Sequence, residues 1–331
     1  MREDVQPGLR VLADRKRFRI GTCVSAPLLQ WDPQYANTVR REFNVITTEN
    51  ALKFAVVAPK RGQYNFSDAD AIVDFAEANG MEVRGHVLVW HSQLPQWLAN
   101  GALTRSGLVE ILTTHIADVV GRYSGRIAAW DVVNEAVGSD GAFRETIWYK
   151  MIGKEYVDLA FRAARSADPT ARLYYNDYGI EASDEHAEGI YELIRDLKQR
   201  DIPVDAVGLQ MHVDMNESKR IERLPAAIGR LRTLGLEAAV TELDVRMNVQ
   251  EHPTAEHLAR QAAIYRQVLR FCLQTPRLEA CVLWGFTDRH SWVPHFFPDQ
   301  NHAAIFDENY CRKPAYDALA EELAEPSPSS G

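Results

Sequence analysis

Ile127-Ala128-Ala129-Trp130-Asp131-Val132-Val133-Asn134-Glu135 and Ala171-Arg172-Leu173-Tyr174-Tyr175-Asn176-Asp177 flank a single amphipathic segment. Each run is mostly apolar and then stops at amides and carboxylates, as expected of a strand buried on both faces. Between them, Tyr156, Leu159, Ala160, Ala163 and Ala164 recur at i, i+3, i+4 spacing, and the pattern halts at Asp168-Pro169. That spacing puts one apolar stripe on a helix. Strand, helix and strand in this order predict a right-handed crossover between parallel strands.

The same alternation continues in both directions. Strands are predicted at 18–24, 44–47, 82–89, 127–133, 171–177, 206–212, 237–245 and 278–286. Ser67-Asp68-Ala69-Asp70 opens a helix in the manner of a capping box, and Asn79-Gly80 closes it. Further helical patterns occupy about 104–122, 184–200, 218–234, 254–274 and 313–323. Eight repeats of the unit favour closure into an α/β fold of the (β/α)8 TIM-barrel type. The first strand lacks the glycine-rich fingerprint often found on an open nucleotide-binding sheet. One catalytic domain is expected over 1–323. The Pro/Ser-rich 324–331 reads as a disordered tail, or the stub of a linker to another module.

The 331 residues include 37 basic and 46 acidic side chains, a net charge of −9. This balance argues against nucleic acid and anionic membrane as partners. There is no apolar run of about 20 residues to span a bilayer. The polar start Met1-Arg2-Glu3-Asp4 lacks the apolar core of a secretory signal. A trimmed mature form would act outside the cell, the reading preferred here; the alternative is cytoplasmic. Cys23, Cys272, Cys281 and Cys311 show no zinc or redox spacing. Cys272 and Cys281 flank a turn, with buried free thiols their expected state.

Active sites of such barrels lie where strands end and βα loops begin. Glu135 ends the fourth predicted strand and Glu242 lies late in the seventh. Two carboxylates facing each other across a cleft can divide into an acid and a nucleophile, the arrangement that cuts glycosidic bonds. Other polar and aromatic side chains gather at the same rim. They are Glu49, Asn50 and Lys53; His86, Trp90, His91 and Gln93; Asn176, Asp177 and Tyr178; Gln210 and His212; Trp284, Asp288, Arg289 and Trp292. Taken singly, each has an ordinary explanation as a cap, a packing residue or a surface charge. Gathered at one end of apolar strands, they would be costly to bury without a task. Aromatic faces suit pyranose rings, while amides, Lys and carboxylates suit their hydroxyls. With no His-x-His or His-Glu-x-x-His pattern, neither a metal nor a cofactor is expected.

Seven ordered motifs extend this reading. They are Thr48-Glu49-Asn50-Ala51-Leu52-Lys53, Gly85-His86-Val87-Leu88-Val89-Trp90-His91-Ser92-Gln93, Trp130-Asp131-Val132-Val133-Asn134-Glu135, Tyr175-Asn176-Asp177-Tyr178, Gly208-Leu209-Gln210-Met211-His212, Thr241-Glu242-Leu243-Asp244 and Trp284-Gly285-Phe286-Thr287-Asp288. Over about 18–319 the chain resembles a glycoside hydrolase family 10 endo-β-1,4-xylanase. The resemblance implies a retaining enzyme with Glu242 as nucleophile and Glu135 as acid/base. It implies that Asn134 bonds the sugar 2-hydroxyl at the scissile bond, that His212 bonds the nucleophile, and that Asp244 orients His212. Glu49, Asn50, Lys53, His86, Trp90, Gln93, Trp284 and Trp292 match the glycone-side wall. Asn176, Tyr178 and Gln210 match cleft residues at or beyond the cleavage point, and Arg289 is counted with the substrate-binding set.

The implied partners are xylan and xylo-oligosaccharides, met by a monomer. A retaining pair should stand about 5–5.5 Å apart, with the charge of Glu242 raising the pKa of Glu135. The chain departs from the family at 297–303, where Asp299 and Asn301 replace two frequent glycines; both types tolerate left-handed backbone. The rival readings are a β-1,4-glucanase or mixed-specificity enzyme, and a non-catalytic carbohydrate-binding barrel.

Overall fold

A computed structural model describes residues 7–181, 183–217, 219–249 and 252–326. The described residues form nine strands: β1 (Arg19–Cys23), β2 (Val45–Thr47), β3 (Glu82–Gly85), β4 (Ala129–Asn134), β5 (Arg172–Asp177), β6 (Ala206–Leu209), β7 (His212–Asp214), β8 (Glu237–Arg246) and β9 (Leu278–Leu283). Every pairing among them is parallel. The order is β6-β5-β4-β3-β2-β1-β9-β8, and β8 also pairs with β6, so eight strands close into a ring. Helices connect them, giving a (β/α)8 TIM barrel.

Three predicted strands differ in detail. The run 206–212 is two strands, because Met211 turns left-handed (φ 63) between Leu209 and His212. Gln210 stays tied across the break, its N–H bonding Asp177 O and its carbonyl accepting from Glu242 N. The break lets His212 pair beside Asp244 on the outer half of β8. The run 82–89 leaves the ladder after Gly85 and rejoins it where Leu88 N and Val89 N donate to Asp131 O and Val132 O. The eighth strand stops at Leu283, and Gly285 then takes φ 93, a conformation with little cost only for glycine.

Helix ends follow side-chain chemistry. Thr104, Ser183 and Thr254 each accept a bond from the exposed N–H of the first turn. The helix Ser67–Ala78 differs from expectation, since Ser67 caps nothing; Asn65 Oδ1 accepts from Ser67 N and Oγ instead. Gly80 (φ 60) ends it as predicted, with Met81 N returning to Ala76 O.

The main core lies between the strand ring and the helices and includes fully buried Trp130, Trp148, Tyr175 and Phe161. Each such side chain contributes about 1.5–3 kcal/mol on leaving water. A second, smaller cluster joins Ala129, Tyr174, Ala206, Ala239, Ala280 and Val282. The Arg84 guanidinium lies 4.0 Å from the ring centre of Tyr174 in this cluster and bonds Asp131.

At the N-terminal ends of the strands, Glu42 accepts from Leu9 N and Tyr316 OH, and Lys16 Nζ bonds Glu325 O. Cys23, Cys272 and Cys281 are buried free thiols, and Cys311 is exposed. No described helix is long and apolar enough to cross a membrane. The last helix ends at Ala324, and 327–331 of the expected tail lie outside the described residues.

Candidate active site

A cleft of about 930 Å³ opens at the C-terminal ends of the strands, and both glutamates line it. Glu135 follows the last residue of β4 in a left-handed conformation (φ 54), costly for a residue with a side chain. Its backbone is fixed by Glu135 N→Asn176 O at 3.0 Å. Its carboxyl group accepts from Gln210 Nε2 (2.9 Å) and Asn134 Nδ2 (3.2 Å) on Oε1, and from Trp90 Nε1 (3.1 Å) on Oε2. His91 Nδ1 stands 3.8 Å from Oε2.

Burial pushes the Glu135 carboxyl above the ordinary range, and the field of Asp177 adds to it. Bonds from Gln210 and Trp90 oppose the rise, and Glu242 contributes least among these influences. The charge of Glu242 thus raises the pKa as expected from the sequence, but desolvation and Asp177 act more strongly.

Glu242, on β8, has the opposite tuning. Its Oε1 accepts from Asn176 Nδ2 at 2.6 Å, and its Oε2 lies 3.2 Å from His212 Nε2. Burial opposes its ionisation, but the His212 bond and the nearby His86 and His212 rings prevail, holding its pKa below the usual value. The His212 ring sits between two carboxylates, with Nδ1 2.9 Å from Asp244 Oδ2. Burial disfavours its charge, yet Asp244 and then Glu242 raise its pKa to about 10. Both ring nitrogens then carry protons and donate. Trp292 Nε1 also bonds Asp244 Oδ2, at 2.7 Å, which locks the far end of this chain.

Asn176 is not a cleft-wall residue. Fully buried on β5, it lies beneath the floor, where Thr241 Oγ1 donates to its Oδ1 at 2.7 Å. That bond fixes the amide so that Nδ2 reaches both Asn134 Oδ1 (2.8 Å) and Glu242. Gln210 Nε2 links Asn134 to Glu135 from the other side. One amide network thus joins the two carboxyl groups.

Ten further sequence-selected residues line the cleft: Glu49, Asn50, Lys53, His86, Trp90, Gln93, Tyr178, Trp284, Arg289 and Trp292. His91, Asp177 and Asp288 do not; Asp288 accepts from Ala304 N (2.8 Å) and Lys313 Nζ (2.9 Å) instead. Lys53 Nζ donates to Asn50 Oδ1 at 2.9 Å and lies 5.1 Å from the Trp90 ring centre. Trp284 meets His86 edge-on at 5.1 Å, and Trp292 lies 4.8 Å from the His212 ring centre. Tyr178 OH accepts from Arg144, and Arg289 Nη1 reaches Glu308 O at the rim.

Sequence reasoning missed several residues. Ser25, Pro27 and Leu28 line the cleft from the segment after β1, which carries no polar signature. Arg246 also lines it, and its place two residues beyond Asp244 on one strand was a usable signal. Asp131 anchors His86, with Nδ1 to Oδ2 at 2.9 Å. In the loop 297–303 the left-handed residue is His302 (φ 52), not Asp299 or Asn301. Asn301 instead exchanges both backbone bonds with Met247.

The profile described as glycosyl hydrolase family 10 matches residues 8–322. Endo-1,4-beta-xylanase B of Thermotoga neapolitana is 41% identical, over 96% of this chain and 92% of its own. The crystal structure of xylanase 10B from Thermotoga petrophila with xylobiose superposes with a TM-score of 0.92 at 42% identity, covering 96% of this chain and 97% of that one. An endo-1,4-beta-xylanase of Penicillium canescens gives a TM-score of 0.92 at 34% identity, over 97% and 98% of the two chains. The chain belongs to glycosyl hydrolase family 10.

Proposed function

We infer that this chain is an endo-1,4-β-xylanase that hydrolyses internal bonds of xylan with net retention. The observation that carries the reading is the opposed tuning of two carboxyl groups on one amide network, the pKa of Glu242 lowered and that of Glu135 raised. Relatives named as xylanases, one of them bound to xylobiose, support the substrate class.

In the first displacement, Glu242 attacks the anomeric carbon while Glu135 gives its proton to the departing oxygen, forming a covalent glycosyl-enzyme. Esterification removes the negative charge of Glu242, and His212 keeps its Asp244 partner. Water, deprotonated by Glu135, then releases the sugar. Asn134, held by Asn176 and by its bond to Glu135, presents its amide where the sugar 2-hydroxyl would lie. The aromatic and polar wall of Glu49, Asn50, Lys53, Trp90 and Trp284 holds the glycone sugars.

The test is Glu242→Ala assayed on an aryl xylobioside with and without azide. Activity is expected to fall by more than about a thousandfold and to return with azide as a glycosyl azide of inverted configuration. Near-normal turnover without azide would remove Glu242 as nucleophile.

A further inference from the structure

Trp31 is 78% exposed, the most exposed large apolar side chain among the described residues. It ends the helix Ala26–Trp31, whose Ala26 and Leu29 face the core. At about 100° per residue, Trp31 projects between Pro27 and Leu28, on the side opposite Ala26 and Leu29. Pro27 and Leu28 both line the cleft. Leu28 also borders a small crevice with Glu49, Trp284 and Trp292, so this helix edges the glycone end of the cleft rather than the far end.

The indole is also held to a firm base. Asp32, the next residue, returns its N–H to Leu28 O and caps the following helix through Gln34 N and Tyr35 N. Tyr310 OH donates to Asp32 Oδ2 at 2.6 Å, and His290 Nε2, on a cleft-lining residue, lies 4.0 Å from the same oxygen. A large apolar ring kept in water on an anchored backbone suits a ligand that brings its own apolar face.

We propose that Trp31 is a distal sugar-stacking platform, receiving a xylose unit beyond those gripped by Glu49, Asn50, Lys53 and Trp284. The proposal rests on the xylanase reading and adds one binding position to it. The chain is carried past the rim formed by Pro27 and Leu28, about one helical turn, 5.4 Å, before Trp31. Long substrates gain this contact, and a substrate with two glycone sugars does not reach it.

The experiment compares kcat/KM on xylohexaose with kcat/KM on an aryl β-xylobioside, for the wild type, Trp31→Ala and Trp31→Phe. In Trp31→Ala the ratio of the two is expected to fall about two- to tenfold, the range of one aromatic contact, and Trp31→Phe should recover most of it. An unchanged ratio overturns the proposal while leaving the xylanase reading intact. A wild-type protein inactive on both substrates overturns the xylanase reading itself. A wild-type dimer that Trp31→Ala converts to monomer, with the ratio unchanged, would assign the exposed indole to contact between copies and also overturn the proposal.

Discussion

Glu135, the proposed acid/base, shows how far the acidity of a carboxyl group is set by its surroundings. Its left-handed backbone, its burial and the field of Asp177 all act on one carboxyl group. Asp177 is itself fully buried, accepting from Tyr175 OH at 2.5 Å and Tyr178 N at 2.8 Å. Asp177→Asn keeps the shape and removes the charge, so the raised pKa of Glu135 should fall. In the proposed mechanism Glu135 acts as acid when protonated, and the alkaline limb of kcat/KM reports that proton in the free enzyme. The limb should therefore move to lower pH. A limb that stays put or moves up would show that burial alone sets the value. Glu135 and Glu242 were legible in the sequence because a carboxylate ending an apolar strand is conspicuous. The influence of Asp177 was not, because an Asp after Asn176 reads equally well as a loop residue until its distance from the acid is fixed by the barrel.

At the scale of elements, β5, β6 and β8 cooperate through an absence. Gly208 on β6 pairs with Asn176 on β5, and a Cβ there would sit 2.1 Å from Asn176 Oδ1. The missing side chain leaves space for the amide that holds Glu242. Gly208→Ala should push Asn176 aside and break its bond to the carboxylate. A bond to a charged group is worth about 1.5–3 kcal/mol, so kcat on an aryl xylobioside should drop at least about tenfold. Circular dichroism is expected to show an intact barrel, and a kcat within twofold of wild type would show that the network tolerates the shift. Eight alternating strands and helices were readable from periodicity alone. The interruption at Gln210-Met211 was not, since an apolar run carries no mark of a left-handed turn when the turning residue is Met. The same limit hid Pro27 and Leu28, which reach the cleft from a short apolar helix.

For the whole molecule, the imidazolium of His212 couples the cleft to global stability. Its pKa is about 10 in the folded protein against 6.5 for the free side chain, so the folded state holds a proton that the unfolded chain releases. The stabilisation is complete below pH 6.5 and is lost as pH rises through about 10. Between those values the wild type should lose unfolding free energy more steeply than His212→Gln, by up to about 1.4 kcal/mol per pH unit. Chemical denaturation at several pH values measures this, and parallel curves would contradict it. A closed ring with the cleft at one end also frees the opposite end. There the segment around Lys16 meets Glu325, and Glu42 clasps Leu9 and Tyr316. The first and last described segments therefore meet on the side away from the cleft. Joining the segment near Lys16 to that near Glu325 and opening a surface turn elsewhere should give a circular permutant whose groove is untouched.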